Sequence, residues 1–131
     1  MDATRADFQY LFSLNKKSVV LDIGSGYGTI SVSVSRRAQV VALDHTWERL
    51  SFLKKRCQQD KITDIIPICA DSLELPFAEN QFDLAILNGV LEWVGFFRKG
   101  EDPAKLQFQA LQCIYSILKP QGNLHKVLLQ I

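Results

Sequence analysis

The chain has 131 residues, enough for one domain, and 47% of them are hydrophobic, an ordinary share for a globular protein with a core. Its 15 basic and 14 acidic residues leave a formal net charge of +1, which excludes a polyelectrolyte surface and argues against nucleic acid as a partner. No apolar run approaches membrane-spanning length, and Cys57, Cys69 and Cys113 show neither metal-ligand spacing nor a disulfide framework, so a soluble, cytoplasmic domain with no membrane insertion and no metal is expected.

Residues 3–14 place Phe8, Leu11 and Phe12 at helical spacing. Residues 18–23, SVVLDI, form a short apolar, β-branched run stopped by glycine, the pattern of a buried parallel strand. Three alternate glycines follow: Gly24, Gly26 and Gly28. Residues 29–35, TISVSVS, alternate like a strand, but Tyr27, Ile30, Val34 and Ala38 also share a helical stripe. A helix is expected, because a strand there would leave the parallel sheet without its crossover. Residues 38–44, AQVVALD, make a second buried strand. Residues 46–57 then make a helix with Thr46 at its N-cap and Trp47, Leu50, Leu53 and Cys57 along one face. The basic triplet Lys54, Lys55 and Arg56 fits the solvated face of that helix. All three cysteines are expected in apolar surroundings, as small hydrophobes.

Residues 64–70, DIIPICA, form a third strand whose proline demands an edge position, since a central strand needs that N–H. Residues 82–88, FDLAILN, are a fourth buried strand. Asp102 and Pro103 suit the N-cap and first position of a helix running to Leu118. The turn KPQG ends it, and residues 124–131, LHKVLLQI, are a fifth strand. Strands alternating with helices mean an α/β fold with a parallel sheet and helices on both faces. Ligands of such sheets bind beyond the carboxyl ends of the strands, near the point where strand order reverses. The glycine turn sits at one such end.

The turn itself discriminates between ligands. A dinucleotide fingerprint is Gly-x-Gly-x-x-Gly, whereas this spacing is Gly-x-Gly-x-Gly and position 29 is threonine. No Gly-Lys-Ser/Thr follows, so it is not a phosphate P-loop. Asp22, two residues before the first glycine, would repel a pyrophosphate and attract an ammonium or sulfonium.

With these residues, LDIGSGYG resembles the first motif of the class I S-adenosylmethionine-dependent methyltransferases, an acidic residue followed by x-Gly-x-Gly-x-Gly. VVALDHTWERL resembles the second-strand motif, and CADSLELPFAENQFDLAILNGVLEW resembles the stretch that carries the adenine contact and the fourth strand. LKPQGNL resembles the turn before strand five, with Gln121 in place of a glycine. Any one motif is weak; four in register over roughly residues 15–130 are specific. The resemblance implies a three-layer Rossmann-like, doubly wound sheet of about five strands in the order 3-2-1-4-5. It implies S-adenosyl-L-methionine as cofactor and a single S-adenosylmethionine-binding domain over residues 1–131. It assigns cofactor binding to Asp22, Gly24, Gly26, Gly28, Asp44, His45, Asp71, Ser72 and Asn88. In this assignment Asp44 grips the ribose hydroxyls through charge-assisted bonds, and Asp71 accepts from the adenine amino group. Backbone around Gly24 and Gly26 approaches the methionine moiety because no Cβ intervenes. Asp22 also suits bonding within the turn, and Asp71 a cap for Ser72-Leu73-Glu74.

The implied activity is methyl transfer to a small-molecule or sugar-type acceptor. The donor is already activated, so alignment supplies much of the rate and a base is needed only when the acceptor must lose a proton. His45 and Glu92 are the candidates for that base, with His45 also fitting a pocket wall and Glu92 a surface helix. Trp93, Phe96 and Phe97 suit an acceptor pocket, a partner surface or core packing. The family's final hairpin is lacking, so a piece of a longer methyltransferase is expected, with self-association through the exposed edge of strand five. Two other readings stay open: a non-catalytic S-adenosylmethionine-binding module, and an NAD-dependent oxidoreductase for which Asp44 would hold the ribose.

Overall fold

The computed structural model describes residues 3–89 and 100–127. Five strands, β1 (Val19–Ile23), β2 (Gln39–Asp44), β3 (Ile65–Cys69), β4 (Phe82–Asn88) and β5 (Leu118–Val127), form one sheet in the order β3-β2-β1-β4-β5. Every pairing is parallel. The expected strand order therefore holds, and Pro67 lies on an edge strand, where its missing N–H breaks no ladder.

Alternate strand residues supply two cores, because side chains in a strand point to opposite faces in turn. Val20, Val40, Leu84 and Ile86 pack on one face with Ile30 and Val34 of α1 (Thr29–Val34) and Leu53 and Cys57 of α2 (Trp47–Gln59). Leu21, Ile23, Leu43, Ala85 and Leu87 pack on the other with Ile114 and Ile117 of α3 (Pro103–Ile117). Asp102 caps α3 as expected, accepting from the Ala104 N–H at 3.1 Å with Pro103 at the first position. The strand-like alternation of residues 29–35 resolves as helix, though only six residues long. Among the described residues, no helix is long and apolar enough to cross a membrane.

Several expectations need correction. The N-terminal segment is a 3₁₀ helix over Ala3–Leu11, not an α-helix reaching Leu14. The Phe12 N–H closes a three-residue turn on the Gln9 carbonyl, while the Arg37 guanidinium donates to the Gln9 and Phe12 carbonyls at 2.9 and 3.2 Å. Gln9 is buried and donates to Ser33 Oγ, which fastens this segment to α1. Its Phe8 ring stacks on His125 of β5 at 4.3 Å, and burial lowers the pKa of that imidazole. Thr46 occupies the N-cap of α2 but its side chain makes no capping bond; its own N–H donates to Asp44 Oδ1. Tyr27 and Trp47 leave the stripes assigned to them and stand exposed, Tyr27 meeting Phe52 edge-on. Cys57 is buried, and desolvation raises its thiol pKa, whereas Cys69 at the end of the edge strand is exposed.

The largest correction concerns β5. It begins at Leu118, and the expected turn 119–122 is a bulge within it: Phe82 faces Leu118, but Leu84 faces Asn123. Asp83, between these two β4 residues, accepts from the Lys119 ammonium at 3.2 Å and from the Val19 N–H of β1 at 2.8 Å. A Cβ on Gly122 would stand 2.9 Å from the Phe82 carbonyl oxygen and 3.0 Å from that of Lys119. Residues 119–123 and Leu11, Phe12, Ser13 and Leu14 border a cleft of about 790 Å³ at the amino ends of the strands, opposite the glycine turn. Gly122→Ala is expected to lower stability by about 1–3 kcal/mol, since the obstructing atoms are backbone. Chemical denaturation reads this directly, and an unshifted midpoint would show that the bulge yields at no cost.

Candidate functional site

The carboxyl ends of β1, β2, β3 and β4 lie side by side, with Ile23 against Leu43 and Leu87, and Asp44 against Cys69. The glycine turn leaves β1 there and is fastened to the end of β2. Gly24 and Ser25 both donate their N–H groups to the Leu43 carbonyl, at 2.8 and 3.0 Å. The Gly26 N–H donates to Asp44 Oδ2 at 2.9 Å, and the Gly28 N–H closes back on the Ser25 carbonyl at 2.9 Å. All three glycines have positive φ. Gly28 has a second reason to lack a side chain: its φ is +89°, and a Cβ would stand 2.3 Å from Leu53 Cδ1 of α2.

Asp44 is 3% exposed, so its carboxylate is held by the protein rather than by water. One oxygen takes Gly26 N–H, the other Thr46 N–H, both at 2.9 Å. Each carboxylate oxygen has further lone-pair capacity, so the group is positioned without being saturated. The Asp44 carbonyl accepts from the Ala70 N–H, which brings Asp71 and Ser72 beside it. His45 projects outward with its side chain 80% exposed and its Nδ1 3.8 Å from Asp44 Oδ1. Asp71 folds into the cap that its sequence allowed, taking the Leu73 N–H at 3.0 Å while its carbonyl takes that of Glu74. Asn88 ends β4, half-buried, on the other side of β1. Glu92, Trp93, Phe96 and Phe97 lie outside the described residues.

Asp22 behaves differently from the expectation that put it at the mouth of the turn. It is fully buried and accepts from Ser31 Oγ at 2.7 Å, so it ties β1 to α1 beneath the turn. Ser31 is thus a supporting residue that the sequence did not single out, although a serine beside the Ile30–Val34 stripe was a signal. Ser25 is another: it is 4% exposed, inside the turn, and was read there only as a spacer between glycines.

A family model described as a methyltransferase domain matches residues 21–125. The chain is 31% identical over 120 residues to the ubiquinone/menaquinone biosynthesis C-methyltransferase of Wigglesworthia glossinidia brevipalpis, over 88% of this chain and 44% of that protein. It is 26% identical over 115 residues to an uncharacterised methyltransferase of Schizosaccharomyces pombe, over 86% of this chain and 39% of that one. It therefore spans less than half the length of either relative. Among solved structures, its fold is similar to phosphoethanolamine N-methyltransferase 1 of Haemonchus contortus, in complex with phosphoethanolamine and S-adenosylhomocysteine. The TM-score is 0.79 at 19% identity, covering 95% of this chain and 25% of that one, a likeness of fold.

Ser31→Ala removes a donor from a buried carboxylate, and is expected to lower stability by about 1.5–3 kcal/mol, the range for bonds to charged groups. Thermal denaturation of the variant measures it; an unchanged melting midpoint would mean that Asp22 does not depend on Ser31.

Proposed function

The chain belongs to the class I S-adenosylmethionine-dependent methyltransferases, and from that membership we propose that it binds S-adenosylmethionine beyond the carboxyl ends of β1, β2 and β4 and transfers a methyl group to a small-molecule or sugar-type acceptor. The observation that carries this reading is the Asp44 carboxylate, buried at the end of β2 and aimed by two backbone N–H groups. A ribose diol needs a fixed acceptor, and a carboxylate already oriented by the fold accepts without losing side-chain freedom on binding. The reversal of strand order between β1 and β4 lies next to it, where ligands of such sheets settle.

When bound, S-adenosylmethionine supplies an electrophilic methyl group on a sulfonium. The chain's own part is to bind and align. Asp44 takes the ribose, with His45 as an outer wall of that pocket. Asp71 and Ser72, just past β3, serve the adenine side. Gly24 and Gly26 keep the floor of the site free of side chains, Gly28 lets the turn seat against Leu53 of α2, and Asn88 faces the reacting end from β4. Asp22 supports the turn from below through Ser31, and its burial argues for that role over direct contact with a ligand. An acceptor that must lose a proton requires a base, for which His45 and Glu92 are the residues to test. The relatives' names make a quinone ring the first acceptor to try, with sugars beside it. Turnover on any of them separates an enzyme from a module that only binds.

Calorimetric titration with S-adenosylmethionine, S-adenosylhomocysteine and NAD in parallel is expected to show binding of the two sulfur nucleosides and not of NAD; binding of NAD alone would overturn the proposal. In the same assay Asp44→Ala should weaken S-adenosylmethionine by about 1.5–3 kcal/mol, roughly 10- to 150-fold. Equal affinity in the variant would remove Asp44 from the ribose role.

A further inference from the structure

Residues 3–12 are fastened to the rest of the fold at two places that differ in chemistry. The first is polar. Buried Gln9 donates from Nε2 to Ser33 Oγ of α1 at 2.9 Å, and the Arg37 guanidinium holds the Gln9 and Phe12 carbonyls. An amide does not titrate and a guanidinium stays charged, so this fastening is indifferent to pH. The second is aromatic. The Phe8 ring stacks on the His125 imidazole of β5 at 4.3 Å and 11°, and Phe12 meets the same imidazole edge-on at 5.9 Å. The charged groups on the surrounding elements are turned elsewhere. Asp7 is exposed on the 3₁₀ helix, and α1 carries no charged residue. Arg37 is engaged by the two carbonyls and lies over the Tyr10 ring. Lys126 alternates to the other side of β5, and Asp83 of β4 is paired with Lys119. Asp22 of β1 shares the row of His125, but Ile86 of β4 stands between them and Ser31 bonds the carboxylate.

We propose that residues 3–12 form a pH-sensitive strap, docked on α1 and β5 while His125 is neutral and released when His125 is protonated. An imidazolium beside two phenyl rings gains some attraction to a ring face, but it gives up water and no carboxylate is turned towards it. Burial already holds the His125 pKa below the ordinary imidazole value, which fixes the sign. The docked state binds fewer protons than the released one. Docking is therefore strongest above the ordinary imidazole value and weakens as pH falls through it, until the docked imidazole titrates as well. The strap also reaches towards the ligand site. Ser33, which Gln9 grips, lies two residues from Ser31, which ties α1 to Asp22 beneath the glycine turn, and α1 is only six residues long. Release of the strap unloads the helix that the glycine turn starts. On the function proposed above, cofactor affinity then follows the strap.

Amide hydrogen exchange of the whole chain, followed from about pH 8 to about pH 5 and corrected for intrinsic exchange, reads the strap directly. The Phe12 N–H, bonded to the Gln9 carbonyl when docked, should lose protection on acidification while the paired amides of β1 and β2 keep theirs. His125→Phe keeps a ring for Phe8 to stack on and cannot titrate, so it should hold the protection of Phe12 level over the same interval. If that variant does not fold, His125→Leu carries the same comparison. Protection that stays level or rises in the unsubstituted chain overturns the inference; a rise would show that attraction to the rings outweighs the lost water. An equal loss in His125→Phe overturns it by assigning the proton to another group, and a matching loss in β1 and β2 does so by marking general unfolding. In calorimetric titration, S-adenosylhomocysteine affinity should fall over this interval in the unsubstituted chain and hold in His125→Phe. An equal fall in both would overturn the link from strap to turn. If neither chain binds S-adenosylhomocysteine at any pH, the proposed function fails, and hydrogen exchange still decides the strap.

Discussion

The rest of this site depends on one joint: the end of β2 holding the glycine turn that leaves β1. The Leu43 carbonyl takes two turn N–H groups, and the Asp44 carboxylate takes a third. Parallel strands alone would bring Ile23 and Leu43 level, but nothing in the ladder fixes the chain once it has left the sheet. Those three bonds do. They place Gly28 against α2 closely enough that a methyl group would collide with Leu53, and they start α1 at Thr29 in the direction that lays Ile30 and Val34 on the sheet. The carboxylate proposed to hold the ribose is thereby also a structural one, and loss of Asp44 removes the acceptors of two backbone donors as well as the proposed ligand contact.

Much of this was legible in the sequence, for identifiable reasons. The three inner strands are buried on both faces or nearly so, and their residues form uninterrupted apolar runs that turn signals bound cleanly. Pro67 reported an edge because a proline removes a ladder donor wherever it stands. Asp102-Pro103 reported a helix start through local chemistry that tertiary contacts do not override. The helix after the glycines came from topology, since the local pattern of TISVSVS favoured a strand and only the need for a crossover decided otherwise.

What was not legible depended on distant partners. KPQG carries every mark of a turn, yet lies within β5, where Lys119 pairs with Asp83 of the neighbouring strand. Residues 3–11 have helical spacing, yet Arg37, some 25 residues on, takes the carbonyls that an α-helix would need. Asp22 was assigned to the ligand side by its charge and by the motif it opens, with bonding within the turn as the alternative, whereas its depth and its bond to Ser31 follow from how α1 folds back over β1. Burial of a particular polar atom is the property least visible in a one-dimensional pattern, and both supporting serines escaped for that reason.

The bulge in β5 also changes what a difference in chain length would mean at this place. Beyond it, His125 lies opposite Ile86 and meets Phe8 and Phe12, while Leu124 turns to the α3 side with Ala85. Side chains in a strand alternate, so adding or removing one residue among 119–122 would exchange these two faces wherever the change is passed on as a one-residue shift of β5 against β4 rather than taken up in the bulge. The imidazole would enter the aliphatic core beneath α3, and a leucine would face the N-terminal aromatic pair. Loops ordinarily accept insertions and deletions with little consequence. Here a segment composed like a loop is a counted spacer, and related chains that keep the N-terminal segment docked on β5 should vary residues 119–122 in identity far more readily than in number.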